Sequence, residues 1–292
     1  MQTTLIVNPY ATRVTDESIA AVERVLRPVA TLATARPGHA IELAREVETE
    51  VVVVFSGDGG FNEVLNGLRS ETAVGFVPGG GTSVLPRALG LPRDAVAAAR
   101  RIADAVESGR QRRIGLGRVN GRRFGFSAGV GLDAELVRRM DARGRDASGR
   151  RPGDLVFAWT ALRALAEHRL RLEPALEIAG HGRAAFALVG NCDPYSYAGK
   201  LPLHITPQAR FELGLDVTAP QALRPSALLR FGRYLLTGRG HDSAGDILHV
   251  HDLDRLEIHC DVPLPLQVDG EDIGDVTDAV FEAERDAVSV LV

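Results

Sequence analysis

The sequence predicts an α/β amino-terminal domain, a parallel sheet with helices on both faces, followed by a β-rich domain interrupted by two helices. Three observations carry this reading. Apolar β-rich runs alternate with amphipathic helical stretches through residue 109, the rhythm of βαβ units. Val51, Val52, Val53, Val54 and Phe55 form an unbroken apolar run, as expected of a parallel strand covered on both faces. Near residue 112 the rhythm gives way to short runs separated by Gly and Pro. The first of these brackets Asn120-Gly121 between two alternating segments, a strong hairpin signal.

Taken in order, TTLIV (3–7) is a short strand stopped by Asn8-Pro9. DESIAAVERVLRPV (16–29) has helical periodicity, with Asp16 as the expected N-cap and acidic residues in the first turn. VATLATA (29–35) reads as the second strand and HAIELAREVE (39–48) as the second helix. VVVVF (51–55) leads into the helix FNEVLNGL (61–68), and TAVGFVP (72–78) leads into SVLPRALG (83–90). In that last segment Ser83 is the expected N-cap. Pro86 then falls in the first turn, where a missing N–H does little harm. DAVAAARRIADAVESG (94–109) is a longer amphipathic helix ended by Gly109. Beyond the hairpin, LEIAGHGRAAFALVGN, LHITP, FELGLDVTA, DRLEIHC and PLPLQVDGE read as strands of a sandwich or barrel. DLVFAWTALRALAEH (154–168) and SALLRFGRYLLTG (226–238) are the two helices, and DARGRDASGRRPG (141–153) is a polar loop. The division falls at residues 1–115 and 116–285.

Bulk properties narrow the function. A chain of 292 residues accommodates two domains. A net charge of −4 argues against nucleic acid as a partner. Cys192 and Cys260 form no CxxC pair, which removes a cysteine zinc cluster and suits a reducing compartment. No apolar run approaches the roughly 20 residues that span a bilayer, and MQTTLIVNP lacks the features of a signal peptide. A cytoplasmic protein is expected. Lys200 is the only lysine, the other basic residues being arginine, and no Gly-Lys-Ser/Thr follows a glycine loop. Phosphates, if bound, must be held by backbone amides and arginines.

Ligands of open α/β sheets bind beyond the carboxyl ends of the strands. Asn8-Pro9-Tyr10-Ala11-Thr12, Ser56-Gly57-Asp58-Gly59-Gly60 and Pro78–Thr82 occupy that place, the last two leading into helices. Glycine allows positive φ and close backbone approach, and a helix N-terminus offers unpaired amides to an anion. Glycines in a strand–helix turn are often only geometric. Two such loops, one with an embedded aspartate, favour phosphate binding, with Asp58 serving a magnesium ion between phosphates. A dinucleotide fingerprint would need GxGxxG after the first strand, where NPYAT stands instead. His249 and His251, two apart without a third ligand nearby, read as surface or packing residues. Helix 226–238 carries Leu228, Leu229 and Leu235 beside Arg230 and Arg233; it reads as a packing helix in preference to a membrane-surface one.

SGDGGFNEVLNGL resembles the GGDGT-x-NEV-x-NGL signature of the diacylglycerol kinase-like lipid kinases, which include bacterial diacylglycerol kinases and sphingosine kinases. VNPYAT looks like the opening VNP segment of that family, and VPGGGTSVLPRALGLP like its third block. FGFSAGVGLDAELV is similar to its glycine-rich block, with Gly131, Asp133 and Ala134. LQVDGED matches its Asp-Gly-Glu turn at Asp269, Gly270 and Glu271. NAD kinases share the GGDG part alone. The blocks follow the family's order across nearly the whole chain.

The resemblance implies an ATP-binding first domain, rejoined by a final strand at 286–292, a β-sandwich-like second domain, and an active cleft. It implies MgATP as phosphoryl donor, a diacylglycerol- or sphingoid-like alcohol as acceptor, and transient contact with the inner membrane face. Asn8, Pro9, Tyr10, Ala11, Thr12, Thr34, Ser56, Gly57, Asp58, Gly59, Gly60, Phe61, Asn62, Gly80, Gly81 and Thr82 would then surround ATP. Asp58 would organise Mg²⁺, Glu271 would act as general base, and Asp133 and Glu63 would line the substrate cleft. Gly60 departs from the family's threonine, Ser83 and Val84 from its Asn-Asp, and Leu213 from the aspartate of an Asp-Gly pair, so no structural metal is expected there. These departures keep two alternatives in play: a nucleotide-binding regulator with little activity, and a soluble-substrate kinase akin to NAD kinases. A homodimer through exposed strand edges stays open.

Overall fold

The computed structural model describes residues 1–142, 171–240 and 244–292, with Thr160, Arg163, Ala164, Ala166, Glu167 and Arg169 besides. The chain forms two compact units, residues 1–116 with 285–292, and residues 117–284. Most of the expected loop 141–153 and of the expected helix 154–168 lies outside the described residues.

In the first unit β1 (Thr3–Val7), β2 (Ala30–Ala33), β3 (Val51–Ser56) and β4 (Ala73–Pro78) form a parallel sheet in the order β2-β1-β3-β4. Val7 pairs with Ala33 on one side and Phe55 on the other, and Phe55 pairs with Val77. Every residue of β3 and β4 is buried, which is why the valine run needs no polar alternation. The end of β16 (Glu271–Val290) joins β4 in parallel at Val290 and Val74.

The helices of this unit begin and end where local chemistry dictates. Thr15 caps α1 (Asp16–Leu26), where Asp16 was expected to do so. Its hydroxyl accepts from the Ser18 amide at 3.2 Å, and the Ser18 hydroxyl accepts from the Thr15 amide at 2.9 Å. Thr15 reaches the amide three residues ahead, and Asp16 is already inside the first turn. Left-handed Arg27 (φ 48°) before Pro28 closes α1 short of the expected residue 29. After α2 (His39–Glu46) comes α3 (Asp58–Gly67), which starts before the expected Phe61. Gly57 alone separates β3 from α3, so Asp58, Gly59 and Gly60 are a helical first turn and not a loop. Ser83 precedes α4 (Val84–Ala88) but gives it no side-chain cap. Asp94 Oδ1 accepts from the Ala97 amide at 2.8 Å to cap α5 (Ala95–Ser108), and Gly109 (φ 70°) ends it.

The second unit is largely antiparallel. β5 (Arg112–Val119) and β6 (Arg122–Phe124) form the expected hairpin, Val119 opposite Arg122. Both loop residues have positive φ, 47° at Asn120 and 88° at Gly121, as a two-residue turn demands. After β7 (Ser127–Val130) an unexpected helix, α6 (Leu132–Ala142), follows the glycines. Asp133 and Glu135 lie in the first turn and Arg139 in the last, in accord with the helix dipole, although Asp141 also falls in the last turn. β8 (Leu176–Ile178), β9 (Gly182–Ala184), β10 (Ala187–Gly190), β11 (Ser196–Ala198), β12 (Leu201–Leu203) and β13 (Leu215–Pro220) come next. α7 (Pro225–Thr237), β14 (Ile247–Leu253) and β15 (Arg255–Val268) lead to β16.

The main path of this sheet runs β14-β13-β10-β7-β15-β16, with β8 and β9 attached beside β15. Val130, Val189, Val217, Leu266 and Phe281 fill the core between, with Phe124 edge-on to Phe281 at 6.3 Å. The result is the α/β plus β-sandwich-like architecture that the sequence predicts. His249 Nδ1 lies 3.1 Å from the Thr218 hydroxyl and His251 Nδ1 2.7 Å from Asp216, so both histidines are tied to the neighbouring strand β13.

Candidate functional site

The carboxyl ends of four parallel strands converge on one rim of the first unit, and the residues that follow them are held by backbone bonds. Asn8 donates its amide to Phe55 O at 3.0 Å, and its side chain accepts from the Tyr10 amide at 3.0 Å. That turn sets Tyr10 outward, 65% exposed, while Ala11 is buried. The Arg13 amide donates to Gly79 O at 2.9 Å, and the Gly79 amide donates to Ser56 O at 2.7 Å. The Thr34 amide donates to Val7 O at 2.8 Å, which leaves Thr34 nearly buried at the end of β2.

At this rim glycine serves close approach. A Cβ on Gly80 would stand 2.8 Å from Gly57 Cα, so the two junctions touch backbone to backbone. Gly57 itself has an ordinary extended backbone (φ −90°). A Cβ on Gly81 would meet nothing within 4 Å, and Gly81 is exposed. Asp58 Oδ1 accepts from the Leu85 amide at 3.3 Å, so the helix that Ser83 fails to cap takes its side-chain acceptor from the other glycine junction. Ser83 is left-handed (φ 50°), and its hydroxyl donates to Gly80 O at 3.3 Å instead. First-turn amides of α3 and α4 thus meet at one place, a ready setting for an anion.

Other residues expected at the site have structural duties. Phe61 is fully buried, its ring edge-on to Phe76 at 5.2 Å, so its side chain belongs to the core. Asn62 is fully buried, its carbonyl and side-chain oxygens accepting from Asn66 Nδ2 at 2.9 and 3.2 Å. Both carboxylate oxygens of Glu63 accept amides that open α2, from Gly38 at 2.8 Å and Ala40 at 3.1 Å. Glu63 therefore acts as a cap from 25 residues away, a duty that no local pattern announces. Pro9, Thr12, Gly59 and Thr82 complete the rim segments.

In the second unit Asp269 (φ 48°) and Gly270 (φ 78°) form a two-residue turn between Val268 and Glu271. Asp269 was expected only as part of a motif. It is buried, and its carboxylate accepts the amides of Gly125 at 2.7 Å, Phe126 at 3.0 Å and Ser127 at 3.2 Å. Glu271 opens β16 and pairs with Arg122 at 3.1 Å while 29% exposed. Asp272 binds Arg138 at 2.8 and 3.0 Å, which holds its carboxyl below the usual carboxylate range.

Asp133 is half-buried. One of its oxygens accepts from the Tyr195 hydroxyl and from Gln267 Nε2, both at 2.7 Å. Burial pushes its pKa up, outweighing those two donors, and burial together with this carboxylate pushes the Tyr195 phenol well up. Tyr195 and Gln267 carry no sequence signal for this, being 62 and 134 residues away from Asp133.

Among the described residues no group of three or more His, Cys, Asp or Glu side chains stands ready to hold a metal alone. Magnesium characteristically takes one or two carboxylates and completes its shell with phosphates and water. The half-buried Asp58, beside the abutting glycines, fits that requirement with a nucleotide as the remaining ligand.

A family model described as the diacylglycerol kinase catalytic domain matches residues 2–119. One described as the YegS C-terminal NAD kinase beta sandwich-like domain matches residues 127–292. Among curated proteins, a diacylglycerol kinase of Bacillus subtilis is 39% identical over 113 residues, 37% of this chain and 36% of that protein. One of Staphylococcus saprophyticus is 35% identical over 98 residues, 32% of this chain and 31% of that protein. The matches span about a third of the length of these curated relatives. Among solved structures, a diacylglycerol kinase of Bacillus anthracis has a TM-score of 0.69 at 19% identity, covering 99% of this chain and 96% of that one. An NAD kinase of Archaeoglobus fulgidus, solved in complex with ATP, has a TM-score of 0.51 at 12% identity, covering 100% and 94%. At these identities the structural likeness is one of fold.

Proposed function

Because this chain belongs to the diacylglycerol kinase-like lipid kinase family, we propose that it transfers the γ-phosphoryl group of MgATP to a hydroxyl of a diacylglycerol- or sphingoid-like lipid. The observation that carries the reading is the rim where Gly57 and Gly80 touch and Asp58 bridges two helix starts. Phosphoryl transfer asks chiefly for alignment and charge neutralisation, and converging amides supply both. Bound magnesium would add charge neutralisation at the phosphates beside Asp58. Glu271 is the general base. The acceptor O–H gives its proton to Glu271 as the oxygen bonds to the γ-phosphorus, the bond to the bridging oxygen breaks, and ADP leaves. Arg122, 3.1 Å from Glu271, orients that carboxylate.

The acceptor is met at a membrane face, and α7 is the element suited to it. Its inner side packs Leu228, Phe231 and Leu235 against a cluster around Phe186, while Leu229 (89% exposed) and Leu236 (50%) point outward one above the other. Residues 224–240 contain no acidic residue and carry Arg224, Arg233 and Arg239 besides Arg230, which pairs with Asp246, a charge balance that suits anionic headgroups. No helix among the described residues is long and apolar enough to cross a membrane.

The test is incubation of the full chain with γ-labelled ATP, Mg²⁺ and a lipid extract, beside Glu271→Gln. Labelled lipid from the wild type alone supports the assignment. ATP binding without transfer to lipid or NAD by either protein points to the nucleotide-binding regulator, and label on NAD to the soluble-substrate kinase.

A further inference from the structure

The bend between β11 and β12 is unlike the two-residue turns at Asn120-Gly121 and Asp269-Gly270. Those two put a polar side chain and a glycine at the bend, the usual chemistry of such turns. Here Ala198 pairs with Leu201, and Gly199-Lys200 forms the bend. Ala198, Gly199, Lys200 and Leu201 are all exposed, Leu201 by 48%. An apolar pair thus flanks the lysine at a tip where water alone would favour polar residues.

This hairpin has three residues to a strand and forms a sheet of its own, apart from the main one. Two strands alone are marginal in water, so the hairpin relies on what braces its base. The Tyr195 amide donates to Leu203 O at 3.0 Å, and the His204 amide donates to Leu235 O of α7 at 2.7 Å. His204 Nδ1 lies 3.0 and 2.8 Å from the two carboxylate oxygens of Asp193. Gly238 ends α7 in the left-handed region (φ 63°), and a Cβ there would stand 3.1 Å from His204 Cβ. The hairpin is therefore fastened to the last turn of α7, the helix whose outer face bears Leu229 and Leu236.

Charge decides the partner. From residue 194 to 240 the basic side chains are Lys200, Arg210, Arg224, Arg230, Arg233 and Arg239, and the acidic ones are Glu212 and Asp216 alone. Asp216 is fully buried and Arg230 pairs with Asp246. Such a stretch, in a chain of net charge −4, complements an anionic surface. A lysine can lay its alkyl stem among apolar groups while its ammonium meets phosphates, which suits the interface of a bilayer.

We propose that the tip Ala198–Leu201 is a second membrane contact, entering the headgroup layer of an anionic bilayer with Leu201 inserted and Lys200 on the lipid phosphates. The proposal rests on the membrane-face reading above and adds an element to the contact made by α7.

Lys200 is the only lysine, so an amine-acylating reagent reads the tip directly by peptide mass spectrometry of the full chain. Acylation of Lys200 should slow severalfold when phosphatidylglycerol vesicles are added, and keep its vesicle-free rate with phosphatidylcholine. Leu201→Asp should bind the phosphatidylglycerol vesicles about fivefold more weakly or worse, the effect of one unit of charge at the surface. Its melting midpoint should stay that of the wild type, since the side chain is exposed. Undiminished acylation of protein that co-sediments with phosphatidylglycerol overturns the proposal and leaves α7 as the contact, as does full vesicle binding by Leu201→Asp. Equal protection by phosphatidylcholine overturns it too. So does protection that grows with protein concentration in the absence of vesicles, which marks a second copy of the chain as the occupant. Wild type that stays in the supernatant even at low salt sinks the membrane-face reading itself and this proposal with it.

Discussion

The Asp58 carboxylate accepts the Leu85 amide at 3.3 Å, so one side chain opens α3 and caps α4 at once. This ties the two glycine junctions by a bond that neither segment reveals alone. It also separates two roles of Asp58. Asp58→Asn keeps a cap acceptor and should melt with the wild type, yet lose transfer on the order of a hundredfold or more, as the loss of a preorganised charge does. Asp58→Ala should lose transfer and, in addition, about 1 kcal/mol of stability with the cap. Equal melting of both variants would remove the cap from the account.

Gly80 and Gly81 are adjacent and should respond oppositely. Gly80→Ala pushes a Cβ against Gly57 Cα at 2.8 Å, and backbone on both sides must move. A loss of about 1–3 kcal/mol is expected in urea unfolding. Gly81→Ala enters open space and should stay within about 0.5 kcal/mol of the wild type.

The raised pKa of the half-buried Asp133 carboxyl predicts a pH dependence of stability. The folded protein holds that proton more tightly than the unfolded chain. Its contribution is therefore fully present below the ordinary carboxylate range and is lost as pH rises through the raised folded value. Asp133→Asn keeps an acceptor for Tyr195 and Gln267 without the charge. Melting across pH should show the variant ahead of the wild type at neutral pH and the gap closing in acid. A gap independent of pH would refute it.

Asp269 is the anchor of the turn that carries Glu271. Three amides converge on its buried carboxylate, so Asp269→Ala strands three buried donors. A loss of about 3 kcal/mol or more is expected. Asp269→Asn, with acceptor capacity on one oxygen only, should fall between that variant and the wild type in the same unfolding series.

The outer face of α7 predicts a membrane response that leaves folding alone. Leu229→Ser with Leu236→Ser should reduce co-sedimentation with phosphatidylglycerol vesicles severalfold and leave the melting midpoint unchanged, since both side chains are already exposed. Arg233→Glu should act in the same direction and more strongly at low salt. Retention of full vesicle binding by both variants would remove α7 from the membrane contact.

The sequence by itself determined what depends on neighbours in the chain. The valine run 51–55 could only be a covered strand. Asn120-Gly121 could only close a tight hairpin, and the ordered glycine blocks sufficed to mark the family. The starts of the expected helices in the first unit were legible to within a turn, α6 was not expected at all, and the cap of α1 was misplaced because Thr15 and Asp16 are both good cap residues and only geometry selects between them. Tertiary structure decided whatever joins residues far apart in sequence. Glu63, expected in the substrate cleft, was found to cap α2. Asp133 gained a network with Tyr195 and Gln267, and the space beside Gly60 was taken up by the Ser56 side chain. Periodicity and turn chemistry are short-range effects written residue by residue, whereas occupancy of a given space is fixed only once the strands and helices have packed.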